Sequence, residues 1–577
     1  MARRALPRLL PLAVLAAARL APASALASAP APAPPACRNL TGWWCCEPTN
    51  LTQSADGATL TSRADYGDGA GTLSGSLVSM LFANSPGALI NGTVSGDCAS
   101  IAWTDGATWA RTPAPWAPAV PAPAFAANLS AILELNALAY TSPGGNGSGD
   151  GSGTWASLAP KVAHWRGLGV GAIWLAYYNV ATAHFYGIRS VYAATDPMTL
   201  DASLGSVAEF DAFVEACHGA GIKVFLDVIG HGLVNESKWV ASNPEWFAGG
   251  SWGMNDYNYS SPGFLAWWAT IWLEYALGHG ADGYRIDIAD EAWWRTGVWD
   301  DIAAAARAGG HEIAVWGEGS RYHFGQHDLF APQTNLTASA ADASAAGRCL
   351  NTLQWSCHDS GWESGPGNYF FLRGSRAHFA YGALSTFIPL FLGGDEYDED
   401  PVTDLPNLKK DLYGTSGLPG GWMYGSVRDW SQLDDPNGRQ ALMLADASAL
   451  LAIQRAHGDV LHRDSCAARV LSLGARVSGA GAPLALDPYA RFLDGAKAVL
   501  VLASTDAAAA AHVVVDVPLA EMGFGGVAFF EVSTLYGGSP PPPARVSAAA
   551  LSAYAVDIAA DKTPGGGAVV ILLVPTQ

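Results

Sequence analysis

Carboxylate, histidine and arginine side chains interrupt several apolar runs of the sequence, each near the end of its run. The run GYRID places Arg285 and Asp287 two residues apart, so on a strand both side chains project to the same side. An arginine beside a carboxyl group favours the ionised carboxylate, which suits a nucleophile better than a proton donor. Taken alone, the stretch is equally compatible with a structural Arg–Asp pair at a strand end.

Other apolar runs end in the same residue types: Asp227 and His231 in GIKVFLDVIGH, Glu318 after IAVWG, and His358 and Asp359 after NTLQWSC. Carboxylates that converge with histidines require a function, because unpaired buried charges are costly. One interpretation is a metal site, but His231 and His358 are far apart in sequence and no paired cysteines accompany these carboxylates, so they lack the ligand spacing of a zinc site. The other is glycoside cleavage, which uses two flanking carboxyl groups, one ionised and one protonated. Asp287 suits the first role and Glu318, in apolar surroundings, suits the second.

The elements that carry these residues alternate between strands and helices from Ala126 to His457. Ser206–Gly219 has the apolar stripe of an amphipathic helix. The predicted strands are Ile132–Tyr140, Gly169–Tyr178, Gly221–Gly230, Asp282–Ile288, Ile313–Gly317, Leu353–Ser356 and Thr386–Leu392. Continuous apolar strands separated by helices indicate a parallel sheet buried on both faces, and this number of them predicts a closed (β/α)₈ TIM barrel. In such a barrel, polar residues at the C-terminal ends of strands are the catalytic candidates.

Four motifs, in this order, resemble those of the α-amylase family of glycoside hydrolases (family thirteen). They are DVIGH at Asp227–His231, GYRID at Gly283–Asp287, GE at Gly317–Glu318 and HD at His358–Asp359. The resemblance covers residues 126–457 and implies a β-sandwich after the barrel.

The resemblance also implies roles for single residues. Asp287 would be the nucleophile, Glu318 the general acid/base, and Asp359 the carboxylate that grips the sugar hydroxyls. The implied substrate-binding residues are Arg285 (orienting the nucleophile), His231 and His358 (binding hydroxyls), Tyr186 (a stacking platform) and Asp227 (supporting the site).

Three departures from the family pattern affect these expectations. Gly230 stands where the family usually has an asparagine that often binds calcium, so we expect no metal cofactor at that place. Cys357 replaces another asparagine, before His358. Asp359 follows Glu318 closely, so the strand–helix unit between them must be shortened. The acidic run Asp395–Asp400 (DEYDED) is interpreted as a solvated loop in preference to a second metal site.

The remaining chain divides by composition. Residues 1–28 have the arginines, apolar run and small residues of a signal peptide, and residues 29–36 and 112–125 are Pro/Ala linkers. Residues 37–111 alternate like short strands and predict a small β domain, and residues 458–577 predict a C-terminal β domain. In the first of these, the tryptophans either stack on sugars or form its core, and core is preferred; they are Trp43, Trp44, Trp103 and Trp109.

Several features indicate the secretory route. Eight asparagines lie in N-x-S/T sequons: Asn39, Asn50, Asn91, Asn128, Asn146, Asn235, Asn258 and Asn335. The eight cysteines also fit an oxidising compartment, with their pairing left open. A plastid transit peptide is the alternative interpretation of the first residues. No later apolar run reaches the length of a membrane helix.

The leading hypothesis from the sequence is a secreted, retaining hydrolase of α-glucans. A transglycosylase of the same family remains open, because both reactions pass through one glycosyl-enzyme intermediate. A third possibility is a catalytically silent barrel that serves as a binding or partner protein. The net charge of −20 argues against nucleic acid as a partner.

Overall fold

The computed structural model describes two compact units, Met1–Trp116 and Ala117–Gln577. The described residues are 42–44, 49–54, 58–63, 69–74, 77–82, 89–95, 100–104, 108–112, 118–141, 152–181, 192–251, 253–318, 320–328, 335–345, 347–358, 375–399, 428–477, 484–537 and 544–576. The predicted signal peptide and the first Pro/Ala linker lie outside these ranges. No described helix is both long and apolar enough to cross a bilayer.

The N-terminal unit is a closed barrel of antiparallel strands, as the alternating sequence predicts. Its strands are β1 (Gly42–Trp44), β2 (Thr49–Gln53), β3 (Thr59–Arg63), β4 (Gly69–Ser74), β5 (Leu77–Phe82), β6 (Leu89–Val94), β7 (Ser100–Trp103) and β8 (Thr108–Thr112). Strand β8 pairs back to β1, which closes the barrel. Trp103 packs inside with Leu51, Val78 and Ile101, which confirms the core interpretation for that tryptophan. The side chains of Trp43, Trp44 and Trp109 lie outside the described part of the chain.

The second unit is built on eight parallel strands, which confirms the predicted (β/α)₈ barrel. The strands are β9 (Ile132–Asn136), β10 (Ala172–Tyr177), β13 (Lys223–Ile229), β16 (Gly283–Asp287), β17 (Ala314–Gly317), β18 (Gly325–Asp328), β19 (Asn351–Gln354) and β20 (Ile388–Leu392). Neighbouring strands pair in this order around the sheet, from β9 to β17 and from β18 through β20 back to β9. A parallel bridge between Trp316 and Phe324 joins the remaining two edges, so the sheet closes on itself.

Helices and hairpins connect these strands. The helices of the barrel unit are Ala137–Tyr140, Trp155–Leu158, Lys161–Leu168, Val207–Gly219, Lys238–Ser242, Pro262–Leu273, Glu291–Trp294, Val298–Ala308, Leu336–Ala345, Ser375–Ala383 and Arg439–Ala456. Two hairpins stand on the C-terminal side of the barrel, β11 (Asn179–Ala181) with β12 (Ala194–Leu200) and β14 (Gly232–Val234) with β15 (Met254–Asp256). The predicted helix at 206–219 begins with a reciprocal capping box between Ser206 and Glu209.

Strand β18 is the barrel strand that the sequence did not predict, because its residues, GQHD, lack an apolar run. Only a short loop separates it from β17, and the helix expected there is missing from the described residues, in line with the predicted shortening. In this loop the side chain of His323 contacts backbone groups of two other segments. Its Nδ1 accepts the backbone N–H of Val315 at 3.1 Å, and its Nε2 lies 3.1 Å from the Val120 carbonyl oxygen. Burial lowers the pKa of His323 to about 4, so the imidazole is neutral and matches this pattern.

The described part of the second predicted linker is attached to the barrel rather than free of it. Asp300 accepts the Ala119 N–H at 3.0 Å, and Arg307 donates to the Pro121 carbonyl at 3.0 Å. The ring of Phe125 stacks on Phe225, with centroids 6.4 Å apart. Residues 118–125 therefore belong to the barrel unit, which begins earlier than the predicted residue 126.

The C-terminal part consists of a six-stranded and a three-stranded sheet, as expected for a β-sandwich. Its strands are β21 (Val470–Ser472), β22 (Gly474–Val477), β23 (Tyr489–Leu493), β24 (Lys497–Ala503), β25 (Ala511–Asp516), β26 (Phe529–Tyr536), β27 (Ala544–Ser547), β28 (Tyr554–Ile558) and β29 (Ala568–Thr576), with a short helix at Ala548–Leu551. Residues of both sheets, such as Leu500 and Val515, share one buried core. Tyr489 ties this region to the barrel by donating to the Tyr381 carbonyl at 2.6 Å.

A disulfide between Cys349 and Cys466 joins the start of β19 to the segment before β21 and closes a loop of sequence separation 117. Cys217 and Cys357 are free and buried. Burial raises the pKa of the Cys217 thiol to about 12, so this cysteine is a packed core residue and not a reactive thiolate.

The double substitution C349S/C466S should lower the unfolding temperature, because a long loop becomes free in the unfolded chain. Loop entropy alone predicts a loss of roughly 4–5 kcal/mol for a loop of this size. Thermal unfolding with and without a reductant measures the effect. The reductant should destabilise the wild type more than the double variant; equal sensitivity of both proteins would show that this bridge contributes nothing.

Candidate active site

Strand register brings the predicted residues of two neighbouring strands together at the C-terminal end of the barrel. Asp227 on β13 pairs with Arg285 on β16, and Ile229 pairs with Asp287. On the other side of β16, Ile286 pairs with Gly317, and Ile286 accepts the Glu318 N–H at 2.9 Å. Arg285 and Asp287 lie on the same side of β16, so both face the carboxylates of Asp227 and Glu318 on the neighbouring strands.

Arg285 is the centre of the site. Its Nη1 lies 2.9 Å from Asp287 Oδ1 and 3.2 Å from Asp227 Oδ1, and its Nη2 lies 2.8 Å from Glu318 Oε2. Burial by itself lowers the pKa of Arg285, but Asp227 and then Glu318 outweigh it, so the pKa lies well above its ordinary value. The guanidinium also lies over the ring of Trp174, 5.1 Å from its centroid. One buried cation thus serves three carboxyl groups.

Asp287 is buried and held ionised. Burial raises its pKa, but a hydrogen bond from His231 and the charge of Arg285 outweigh this effect, and the pKa lies below its usual value. His231 Nε2 is 3.3 Å from Asp287 Oδ2. A carboxylate of this kind is available as a nucleophile at neutral pH.

Glu318 lies beside it with a more exposed side chain, 32% accessible against 7% for Asp287. Its Oε2 accepts the backbone N–H of Ile288 at 3.2 Å. Ile288 directly follows Asp287 and has a φ of 46°, a left-handed conformation that is unfavourable for a β-branched residue. Strain of this kind persists where surrounding structure enforces it, and here it aims a backbone donor at Glu318.

Asp227 and His358 lie deeper. Burial raises the pKa of Asp227 to about 7, with Arg285 opposing the effect. His358 is buried, and both ring nitrogens contact described side chains. Its Nε2 lies 2.6 Å from the Tyr192 hydroxyl, and its Nδ1 makes a short contact with Glu134.

The structure thus brings together Asp227, His231, Arg285, Asp287, Glu318 and His358. Tyr186 and Asp359, also predicted for the site, lie outside the described residues.

Glu134 and Tyr192 were missed by the sequence reasoning. Glu134 is fully buried on β9, where it is the one charged residue within the strand ILELN. The criterion that selected Asp227, a charge inside an apolar strand, would have selected it too. Tyr192 lies at the start of the β12 segment, where nothing local distinguishes it.

The interpretation of the acidic run as a solvated loop is wrong for its described part. Asp395, Glu396, Asp398 and Glu399 are all buried at the end of β20. Arg428 lies 2.7 Å from Glu399, and His164 lies 3.3 Å from Glu396. Burial raises the pKa of Asp395 to about 8. The run is buried because it follows the eighth strand directly into the barrel rim, where basic partners from distant segments meet it.

Comparisons with known proteins agree with this architecture. A family model described as "Alpha amylase, catalytic domain" matches residues 139–245. An alpha-glucosidase of Culex pipiens is 26% identical over 182 residues, which is 24% of this chain and 30% of that protein. A 1,4-alpha-glucan branching enzyme of Xanthomonas euvesicatoria is 30% identical over 208 residues, 34% of this chain and 26% of that protein. The matched segments thus span well under half the length of these curated relatives.

Solved structures share the fold over more of the chain. A maltogenic alpha-amylase of Thermotoga neapolitana has a TM-score of 0.54 at 16% identity, covering 78% of this chain and 99% of that one. An alpha-amylase of Geobacillus thermoleovorans, solved with acarbose, has a TM-score of 0.56 at 12% identity and the same coverage, 78% and 99%. The fold and site define a (β/α)₈ barrel with carboxylates at its C-terminal rim. The family match confirms the predicted resemblance to the α-amylase family.

The residues around Gly230 leave no room for the asparagine side chain that often binds calcium at this place in the family. A Cβ at this position would lie 2.6 Å from a ring carbon of Trp293 and 2.7 Å from a methyl carbon of Ile286. The Gly230 carbonyl accepts a hydrogen bond from the Tyr259 hydroxyl at 2.9 Å. Tyr259 in turn stacks on Trp293, with centroids 4.8 Å apart and planes 7° apart. Trp293, stacked on Tyr259, and Ile286 thus occupy the space where an asparagine side chain would begin.

Chelation should therefore leave stability nearly unchanged, since an ion that does not bind the native state cannot stabilise it. Thermal unfolding in EDTA and in added calcium measures this expectation. A midpoint that falls by many degrees in EDTA and recovers with calcium would mean that other oxygen ligands form a site.

Proposed function

We propose that this chain is a retaining glycoside hydrolase of α-glucosidic bonds in starch- or glycogen-like glucans or oligosaccharides. The observation that supports it is the pairing of Asp287 and Glu318 on the two nitrogens of Arg285. Asp287 is buried and ionised, whereas Glu318 is half-buried and reaches solvent, so the two carboxyl groups have different environments, as the two roles in retaining cleavage require.

In the proposed reaction, an Asp287 oxygen attacks the anomeric carbon while the bond to the leaving oxygen breaks. Glu318 donates its proton to that oxygen, and a glycosyl ester on Asp287 results. The Glu318 carboxylate then takes a proton from water, whose oxygen attacks the anomeric carbon and releases Asp287. Arg285 and His231 hold Asp287 in place. We assign sugar binding to Asp359 and Tyr186 on the family resemblance. His358, for which the resemblance implies the same role, has both ring nitrogens engaged by Tyr192 and Glu134 instead.

The variant E318Q should lower kcat on an α-glucoside by about 10²–10⁴-fold, the usual contribution of general acid–base catalysis. D287N should lose at least as much, because the covalent step lacks its nucleophile. Initial-rate assays on maltooligosaccharides measure both. D290N is a matched control: Asp290 is an exposed acid on the same loop and caps the Ala292 N–H at 2.8 Å.

Stereochemistry tests the retaining assignment separately. Proton NMR of the first product should show the α-anomer, and the carboxyl groups of Asp287 and Glu318 should lie roughly 5–5.5 Å apart in a crystal structure. A β-anomer as first product, or full activity of D287N, would overturn the proposal.

Two other functions remain candidates. The likeness to a branching enzyme favours transglycosylation as the second candidate, in which another sugar replaces water at the glycosyl ester. Transfer products longer than the substrate, seen by chromatography of maltooligosaccharide digests, would identify it. A silent barrel would bind glucan without cleaving any defined α-glucoside.

We further propose that the protein is secreted and glycosylated, and that residues 37–111 bind glucan. The signal-peptide pattern of residues 1–28 and the eight sequons support secretion and glycosylation, and Trp43, Trp44 and Trp109 beside the Pro-rich segment support glucan binding. Removing residues 37–111 should weaken attachment to insoluble starch in a sedimentation assay while leaving hydrolysis of short substrates intact. Unchanged sedimentation would assign the tryptophans to the core of that unit alone.

A further inference from the structure

A chain of hydrogen bonds crosses the barrel beneath the proposed nucleophile. Glu134 on β9 contacts His358 twice, since its Oε2 accepts the His358 backbone N–H at 3.3 Å and its Oε1 makes a short contact with Nδ1. The other ring nitrogen of His358 lies 2.6 Å from the Tyr192 oxygen. The same Tyr192 oxygen lies 3.1 Å from Asp227 Oδ2.

Counting protons along this chain shows that it needs one more than its neutral donors supply. The side-chain links are Glu134 to His358, His358 to Tyr192, and Tyr192 to Asp227, and each requires one proton between its heavy atoms. The Tyr192 hydroxyl supplies one proton and a neutral imidazole supplies another. The third proton must therefore reside on His358, Asp227 or Glu134.

We propose that Glu134 and Tyr192 are positioning residues that hold one shared proton with His358 and Asp227, and thereby fix Arg285 against Asp287. The chain takes its last step through Arg285, whose Nη1 reaches both Asp227 at 3.2 Å and Asp287 at 2.9 Å. The inference rests on the proposed function only for what the chain positions.

The burial of the chain explains why the proton stays. Glu134, Asp227 and His358 are each at most 3% exposed, so two carboxylates facing a neutral imidazole would be poorly solvated. With the shared proton, the four side chains carry a single negative charge, which Arg285 balances. The raised pKa of Asp227, about 7, agrees with a proton that is retained up to neutral pH.

The surroundings supply few other charges. Among the described residues, Arg285 and Asp287 of β16 face these hydrogen-bonded side chains. The Tyr178 hydroxyl donates to the Asp227 carbonyl at 2.7 Å, and the ring of Trp174 packs on His358 with centroids 5.7 Å apart. The Arg285 guanidinium also donates to Tyr192 at 3.4 Å. None of these groups supplies the missing proton, because an arginine does not release one at ordinary pH.

Two isosteric variants replace the shared proton by a permanent N–H. In E134Q, the amide oxygen accepts the His358 backbone N–H, and the amide N–H donates to Nδ1. In D227N, the amide N–H donates to Tyr192 at the other end. Either chain is then complete with a neutral His358.

Linkage converts this difference into a measurement that does not depend on activity. Unfolded His358 takes up a proton below about pH 6.5, and the wild-type chain already holds one in the folded state. A variant with a neutral His358 holds no such proton when folded, so it takes one up on unfolding. The ratio of its unfolding constant to that of the wild type should therefore increase about tenfold for each pH unit that the pH falls below roughly 6.5. Between about pH 7.5 and 8.5 the ratio should be constant, because neither folded protein then holds the extra proton.

Urea unfolding of wild type, E134Q and D227N across this pH range provides the test. E215Q is the matched control: Glu215 is exposed on the helix Val207–Gly219, so this variant should follow the wild type at every pH. Ratios independent of pH for both E134Q and D227N would overturn the proposal. If only one variant folds, its curve decides.

Kinetics separate this inference from the proposed function. If the chain positions Asp287, E134Q should lower kcat with little change in KM at a pH where it is fully folded. An inactive wild type with pH-dependent ratios would refute the proposed function and leave the shared proton standing. An active wild type whose unfolding constants keep a pH-independent ratio to those of E134Q and D227N would support the proposed function and refute the shared proton.

Discussion

The buried guanidinium of Arg285 is the constraint on which the active-site end of the barrel depends. A buried charge is tolerated only with partners, and removing one partner from such a site is costly. Arg285 has three, Asp227, Asp287 and Glu318, carried by three adjacent strands or their ends. The positions of these carboxylates are therefore coupled, and the register of β13, β16 and β17 holds all three within reach of one cation.

The opposite end of the barrel solves a similar problem differently. Arg463 is fully buried, and its nitrogens donate to backbone carbonyls, at 3.1 Å to Leu129 and 2.9 Å to Ser385. Burial without a facing carboxylate lowers its pKa to about 9. Carbonyl dipoles stabilise a cation without making it a partner in acid–base chemistry, so this arginine ties segments together. At the other rim, carboxylates replace the carbonyls and the same residue type tunes reactive groups.

Several buried charges of this protein belong to networks that a pattern of single residues does not reveal. The acidic run after β20 has the composition of a solvated loop, yet Arg428 and His164 reach it from distant segments. Glu134 carries the same signal as Asp227, one charge inside an apolar strand, but only its contact with His358 shows what that charge does. Strand β18 escapes prediction because a glycine and three polar residues can fill a barrel position once the neighbouring strands have closed around it.

The sequence by itself predicted the barrel, seven of its eight strands and six of the residues at its active rim. Those properties are local: alternation sets the side of a strand on which a residue lies, and apolar runs set where strands occur. Only the tertiary structure decided which charges meet. The contact between Glu134 and His358 joins residues 224 positions apart. It exists because the last barrel strand, β20, pairs with both β9 and β19 and so brings the first strand close to the end of β19. That pairing is a property of the whole sheet that no single strand encodes.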